Sequence, residues 1–225
     1  MCAARLSLVI PTLNEAPSLA DAIAHAQEVA DEVIVSDGGS HDGSAELARQ
    51  AGAQVVEGPP GRGGQLNRGA AVASGDALLF LHADTRLPPE GRTQIERALD
   101  AGYAGGGSRI EFDVAGGLLR FGAGWINGRT RLTRLPLGDQ AQFVRRDAFE
   151  QLGGFSDWPI LEDLDFMRRL KRHHRVAVLD GPVVTSSRRF RRGGKFKTIT
   201  INWTIWALYA LGVSPQALAR LYRRA

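Results

Sequence analysis

Ala77-Leu78-Leu79-Phe80-Leu81-His82-Ala83-Asp84-Thr85 is the stretch around which the chain is organised. It opens as an unbroken apolar run, Ala77 to Leu81, bounded by Gly75-Asp76 and by His82. A short run of this kind reads as a strand buried on both faces of a parallel sheet. His82 and Asp84 lie two apart, so an extended backbone would aim both side chains to one side. Open α/β sheets place their ligands at the carboxyl ends of such strands. A carboxylate there can hold a divalent cation, and the cation can hold a diphosphate. The plainer alternative is that Asp84 caps a helix beginning near Pro88.

Three units of the same design precede it. Leu6 to Ile10 reads as a strand ending in Pro11-Thr12-Leu13-Asn14-Glu15, with a helix from about Pro17 to Val29. Glu32 to Ser36 reads as a second strand ending in Asp37-Gly38-Gly39-Ser40-His41-Asp42-Gly43, with a helix to about Gln50. Ala53 to Glu57 is a third, ending in Gly58-Pro59-Pro60-Gly61-Arg62-Gly63-Gly64, with a helix from about Gln65 to Ala73. Strands alternating with helices predict right-handed crossovers and a parallel sheet. All four polar loops then fall on one rim, which suits a nucleotide-sized site. No G-x-G-x-x-G follows the first strand, so the rim is not a dinucleotide fingerprint. No Gly-Lys-Ser/Thr closes the glycine-rich loop, which excludes a P-loop. By itself that loop reads as a flexible turn, with Arg62 at its tip able to reach a phosphate.

Composition sets the bounds. The 225 residues are 44% hydrophobic and 23% charged, enough for one large domain, or one with an appendage, and not a disordered type. A formal charge of +4 and a pI near 9.7 allow a phosphate-bearing ligand, nucleic acid or an anionic membrane surface. Cys2 is the single cysteine, so no disulfide forms within the chain. No basic segment followed by a long apolar stretch opens the chain, so no signal peptide is expected. No run of about 18 apolar residues suggests a spanning helix.

In the second half, Pro89 to Asp100 reads as a helix and Arg109 to Val114 alternates like a half-exposed strand. Gly116 to Thr133 reads as a helix carrying Trp125 and Asn127, with Trp125 assigned to the core in preference to a sugar platform. Leu137-Gly138-Asp139-Gln140 precedes a strand from Ala141 to Arg145 and either lines a sugar pocket or makes a tight turn. Gly153-Gly154-Phe155-Ser156-Asp157-Trp158-Pro159-Ile160-Leu161-Glu162-Asp163-Leu164-Asp165-Phe166 ends in an acidic helix start. Acidic residues favour a first helical turn for electrostatic reasons alone. Arg168-Arg169 and Lys171 to Arg175 read as one solvated helix face, followed by a strand from Arg175 to Leu179. The denser Ser186 to Lys195 cluster, with Arg188 and Arg189, suits either phosphate or an RNA or membrane surface. Lys197 to Leu211 is rich in large apolar residues on more than one helix face. It fits an interfacial membrane helix, packing on the domain, or a homodimer contact.

Val9 to Glu15, Val35 to Gly43 and Leu81 to Thr85, in that order and spacing, resemble family 2 glycosyltransferases of the GT-A fold. Within them the chain is most similar, over nearly its whole length, to a bacterial group named for arsenosugar biosynthesis. The resemblance implies an α/β GT-A fold with a Rossmann-like, mostly parallel sheet flanked by helices. It implies that Pro11, Thr12 and Glu15 hold the nucleoside and that Asp37 meets base or ribose, against the alternative that Asp37 only shapes the turn before Gly38-Gly39. Asp42 is read as a helix N-cap. The family's Asp-x-Asp stands here as His82-Ala83-Asp84. Asp84 keeps the metal-ligand role, for Mg²⁺ or Mn²⁺, while His82 departs from the pattern and is assigned to a softer cation or to the ribose. The Gly-Gly-Phe and Glu-Asp stretch is similar to the family's acceptor site, which implies Asp163 as catalytic base with Glu162 in support. A loop over the donor diphosphate implies Arg188 or Arg189.

The resulting expectation is a metal-dependent, inverting transferase of hexosyltransferase type. It moves a sugar from a nucleotide-diphosphate sugar, UDP-sugar first, to an acceptor hydroxyl. Residues 1–195 would form the GT-A domain, with 1–86 the nucleotide-binding half and 87–195 the acceptor half, and 196–225 a helical appendage. The enzyme would be cytoplasmic, in solution or at the inner face of the cell membrane through 197–211. The rival is a membrane-associated nucleotide- or lipid-phosphate-binding protein with little catalysis, favoured by the His82 departure. Nucleic acid is not expected, because the chain lacks aromatic-interleaved single-strand platforms.

Overall fold

A computed structural model describes residues 4–114, 116–187 and 195–224. Its first half repeats one unit. Strand β1 (Leu6–Thr12) leads to α1 (Ala16–Val29), β2 (Glu32–Asp37) to α2 (Ser44–Gln50), β3 (Gln54–Glu57) to α3 (Arg62–Val72), and β4 (Ala77–Phe80) closes the set. The pairings β3-β2-β1-β4 are all parallel, as alternating strands and helices require. The second half adds β5 (Thr85–Arg86), α4 (Gly91–Asp100), β6 (Gly105–Phe112) and α5 (Gly117–Thr133). Then come a 3₁₀ turn at Gly138–Gln140, β7 (Gln142–Arg145), α6 (Arg146–Gln151), α7 (Glu162–His173) and β8 (Val176–Thr185). Helices α8 (Lys195–Ala210) and α9 (Pro215–Arg224) follow. Among the described residues the strands form one sheet, ordered β3-β2-β1-β4-β7-β6-β8-β5. Strands β7 and β5 run antiparallel to their neighbours, so the sheet is mostly parallel with a mixed half.

Period-two alternation divides the core between the two faces of this sheet. Leu8, Ile10, Val35 and Leu79 face one side with Leu19 and Ile23 of α1. Val9, Ile34, Leu78 and Phe80 face the other with Leu66 of α3 and Phe166 and Leu170 of α7. On that second face Phe80, Phe149, Phe155 and Phe166 form an aromatic cluster with centroid separations of 4.7 to 5.7 Å. Such pairs add about 0.5–1.5 kcal/mol each beyond the area they bury. Phe155 therefore anchors the loop that leads into α7. Asn67 of α3 grips the same residue, accepting from its N–H at 2.9 Å and donating to its carbonyl at 2.8 Å.

Several expectations need correcting. Strand β8 runs on to Thr185, well past Leu179, because it finds partners in β6 and β5 that only the tertiary fold supplies. Strand β6 begins at Gly105, before the alternating segment, and lies largely buried. A side chain at Gly106 would stand 2.3 Å from the Ala177 carbonyl, so the close β6–β8 approach requires glycine there. Trp125 is no core residue: it lies on the exposed side of α5, 39% accessible. Arg169 is not solvated charge either. It donates to Asp165 at 2.8 Å and to the carbonyls of Leu152 and Gly154 at 2.7 Å each, tying the Gly-Gly-Phe loop to α7. Asp42 stands two residues before α2 and serves two helix starts. Its Oδ1 accepts from the N–H and hydroxyl of Ser44, the first residue of α2, at 3.1 and 2.6 Å, and its Oδ2 from the N–H of Ala16, the first residue of α1, at 3.1 Å.

Helix α8 packs back on the domain. The Arg129 guanidinium lies 4.9 Å from the Trp206 ring, and Tyr209 meets Arg168 at 5.0 Å and Trp158 at 6.4 Å. Among the described residues no helix is long and apolar enough to cross a membrane.

Candidate active site

Parallel pairing brings the donor-side loops to one rim. Thr12 and Asp37 are register partners at the carboxyl ends of β1 and β2. Pro11 sits half-buried in β1, and Glu15 stands at the start of α1, where its carbonyl takes the N–H groups of Ser18 and Leu19 at 3.0 Å. Asp37 is buried and shapes the turn, as the plainer reading held. Its Oδ1 accepts from the N–H groups of Gly39 and Ser40 at 2.8 Å, and its Oδ2 from the Ser40 hydroxyl at 2.6 Å. A carboxylate offers about four acceptor directions, so one remains for a ligand donor.

Gln65, which carries no motif, holds this rim together. Its amide donates to the carbonyls of Thr12 at 2.8 Å and Ser36 at 3.0 Å, and its Oε1 accepts from Gly61 N–H at 3.2 Å. Removing it leaves buried backbone groups short of partners, so Gln65→Ala should lose about 1–3 kcal/mol of stability. Urea denaturation would measure that loss, and an unchanged midpoint would contradict it.

At the end of β4 the backbone is not extended as assumed. Thr85 N–H donates to the His82 carbonyl at 3.0 Å and closes a turn, so His82 and Asp84 do not follow strand alternation. Asp84 is half-buried there, and its carbonyl accepts from Ser186 N–H at 3.1 Å. The chain passes from that bond toward Arg188 and Arg189, which lie outside the described residues. Among the described residues no group of three or more His, Cys, Asp or Glu side chains could hold a metal. A single carboxylate such as Asp84 fits a cation that it shares with a diphosphate and water, which is how Mg²⁺ is ordinarily held.

His82 belongs instead to a second group of residues. A methyl placed on Gly138 would lie 3.1 Å from Asp163 Oδ2, 3.4 Å from His82 Nε2 and 3.7 Å from Arg62 Nη1. These three side chains therefore converge on one small space, kept open by the absence of a side chain at Gly138. Asp163 is held by backbone: Oδ2 accepts from Gly138 N–H and Oδ1 from Leu164 N–H, each at 2.7 Å. Glu162, 1% exposed, is ion-paired to Arg62 Nε, and Arg62 Nη2 lies 3.4 Å from Asp163. Arg62 is thus no loop-tip group. It is the first residue of α3, and the glycines after it belong to that helix. Gly63 has no side chain to block contact with Ser156, whose carbonyl would lie 2.7 Å from a methyl there.

The electrostatics follow from burial. Burial opposes the charge on Arg62, yet Asp163 and Glu162 outweigh it and raise its pKa. Burial, then Arg62, pushes His82 down to about 4, against the opposing pull of Asp163, so the imidazole is neutral near neutral pH. Burial raises Glu162, with Arg62 working against the shift. Asp139 is raised by burial and then by Asp163, and its Oδ1 is buried without a hydrogen-bond partner among the described residues. Arg129, on α5, donates to Gln140 Oε1 at 3.1 Å and supports the 3₁₀ turn that presents Gly138 to Asp163.

A nucleotide-type rim on a parallel half, beside a carboxylate positioned by a mixed half, is the arrangement of the GT-A fold. Residues 7–149 match the model of Glycosyl transferase family 2, and the chain belongs to that family. It is 37% identical over 131 residues to the undecaprenyl-phosphate 4-deoxy-4-formamido-L-arabinose transferase of Aeromonas hydrophila, covering 51% of this chain and 37% of that protein. It is 32% identical over 179 residues to a PGL/p-HBAD biosynthesis glycosyltransferase of Mycobacterium bovis, covering 74% and 69%. The chain spans about a third of the length of the first curated relatives it matches. Glucosyl-3-phosphoglycerate synthase of Mycobacterium tuberculosis superposes with a TM-score of 0.60 at 24% identity, over 85% of this chain and 75% of that one.

Proposed function

We propose that the chain transfers a sugar from a nucleotide-diphosphate sugar, UDP-sugar first, to an acceptor hydroxyl with inversion. The observation that carries this is the convergence of Asp163, His82 and Arg62 over Gly138, beside the donor-side rim. Two backbone N–H groups orient Asp163 and leave it lone pairs with which to take a hydroxyl proton. The freed oxygen attacks the anomeric carbon as the bond to the diphosphate oxygen breaks on the opposite side. Asp84 would hold Mg²⁺ or Mn²⁺, which when bound supplies positive charge to the departing diphosphate. Arg188 or Arg189 would add to that charge. Pro11, Thr12, Glu15 and Asp37 would bind the nucleoside. Arg62 would hold Glu162 and Asp163 in register and meet donor phosphate only as a secondary role. The 1–86 and 87–195 halves and the 196–225 appendage belong to the same reading, as does a cytoplasmic setting.

Two relatives support the choice of ligands. The Mycobacterium tuberculosis structure is a complex with Mn²⁺ and UDP, and the Aeromonas relative carries undecaprenyl phosphate in its name. The name of the arsenosugar group contributes nothing to the acceptor proposed.

Titration calorimetry with UDP, GDP and dTDP, each with Mn²⁺ and with EDTA, tests the donor site. One nucleotide should bind with Mn²⁺ and bind at least about ten-fold more weakly in EDTA or in Asp84→Ala. Equal affinity with and without metal would refute the Asp84 role. His82 in place of a first aspartate favours the rival, a binder with little catalysis. That rival requires nucleotide binding with no release of UDP from UDP-sugars.

A further inference from the structure

Helix α5 has two sides of opposite character. Leu119, Ala123, Asn127 and Thr130 are buried, and Asn127 bonds both the N–H and the carbonyl of Ile110 in β6. The other side exposes Arg120, Phe121, Gly124, Trp125, Gly128, Arg131 and Leu132. Phe121 is 75% and Leu132 87% accessible. From Phe121 to Leu132 the stripe is about 16 Å long. No acidic residue occurs from Gly116 to Gly138, while Arg120, Arg131 and Arg134 are exposed along or just beyond the helix. Lys171 adds a further cation, bonded to the Thr133 carbonyl at 2.6 Å. Arg131 lies 3.6 Å from Asp180, with both side chains exposed.

We propose that this face of α5 docks on an anionic phospholipid surface. Aromatic and leucine side chains beside arginines, with no acid among them, are the composition of a helix lying in the headgroup layer. Each basic residue near such a surface strengthens the attraction to it. A second copy of the chain is the weaker fit. Three spaced side chains separated by glycines cover a few hundred Å² at most, well short of the roughly 1,000 Å² a stable interface needs, and pairing would set arginines against arginines.

The placement has a functional consequence, which rests on the transferase reading. Arg129, on the flank of the same helix, supports the turn that gives Gly138 N–H to Asp163. Docking by α5 thus sets on the lipid surface the helix that supports the candidate base, which points to an acceptor carried on a lipid. The surface differs from 197–211, where the apolar pattern of the sequence alone pointed.

The test is co-sedimentation of the full chain with vesicles of phosphatidylcholine alone, or mixed equally with phosphatidylglycerol. Wild type should pellet with the anionic vesicles, and more weakly as salt rises. Phe121→Glu/Leu132→Glu should lower the bound fraction at least about ten-fold while keeping the native circular dichroism and nucleotide affinity. Leu211→Glu, on an exposed residue of the rival segment, should pellet as wild type does. Failure of wild type to pellet, equal binding by the double variant, or a wild-type dimer that the double variant turns to monomer with vesicle binding unchanged would each overturn the proposal. Nucleotide calorimetry is read separately, so a failed donor site and a failed docking face are told apart.

Discussion

Asp163→Asn should lower turnover by about 10²–10⁴-fold, the range a positioned general base contributes, while nucleotide affinity and melting temperature stay near wild type. Asparagine preserves the shape of the side chain and can still accept Gly138 N–H through its carbonyl oxygen. It loses the capacity to take a proton and one backbone bond, because an amide nitrogen facing Leu164 N–H cannot accept from it, so a fall of a few degrees in melting temperature at most is expected. UDP release from UDP-sugars with water as acceptor gives a readout that does not require the natural acceptor. Glu162→Gln provides the contrast. Glu162 is buried against Arg62 and acts through it, so that variant should retain more activity than Asp163→Asn. If Asp163→Asn instead binds nucleotide poorly or melts far below wild type, Asp163 is a structural member of the Arg62 cluster and the base lies elsewhere.

The second large effect is on stability. Arg62→Ala strands Glu162, whose side chain is 1% exposed, with its charge uncompensated. Breaking a fully buried pair costs roughly 3–5 kcal/mol. Arg62 is itself 41% exposed and its partner partly screened, so about 2–3 kcal/mol is expected here. For a chain of this length that lowers the melting temperature by roughly 5–10 °C. The double variant Arg62→Ala/Glu162→Gln should recover about half of the loss, because the stranded charge is gone. A thermal melt followed by circular dichroism reads both. An Arg62→Ala protein that melts with wild type would mean that water already solvates Glu162.

The parallel half was legible from residues alone. Apolar runs at β1, β2 and β4 specify strands buried on both faces, and strand-helix alternation then leaves one handedness and one rim. Thr12 and Asp37 stand side by side at the carboxyl ends of β1 and β2 because a polar residue ending such a run falls on that rim. The mixed half was less legible, since its order depends on pairing. Thr85–Arg86 is too short to announce a strand and exists because β8 passes beside it. Gly105 to Gly107 carry no side chains whose alternation could be read, yet form a strand because backbone must approach backbone there. Trp125 is large and apolar, which favours burial on average, but helix phase turned it outward.

The sequence by itself determined the family, the parallel pairing of the first four strands and the residue types along the rim. These rest on short-range periodicity and on motifs, both local properties of the chain. Only the tertiary structure decided that Arg62 meets Glu162 and Asp163, a hundred residues away. It alone turned His82 toward Gly138 and gave Asp163 its backbone donors. Charge partners across such distances are chosen by which helix ends the packed sheet brings together. Spacing along the chain carries no record of that choice.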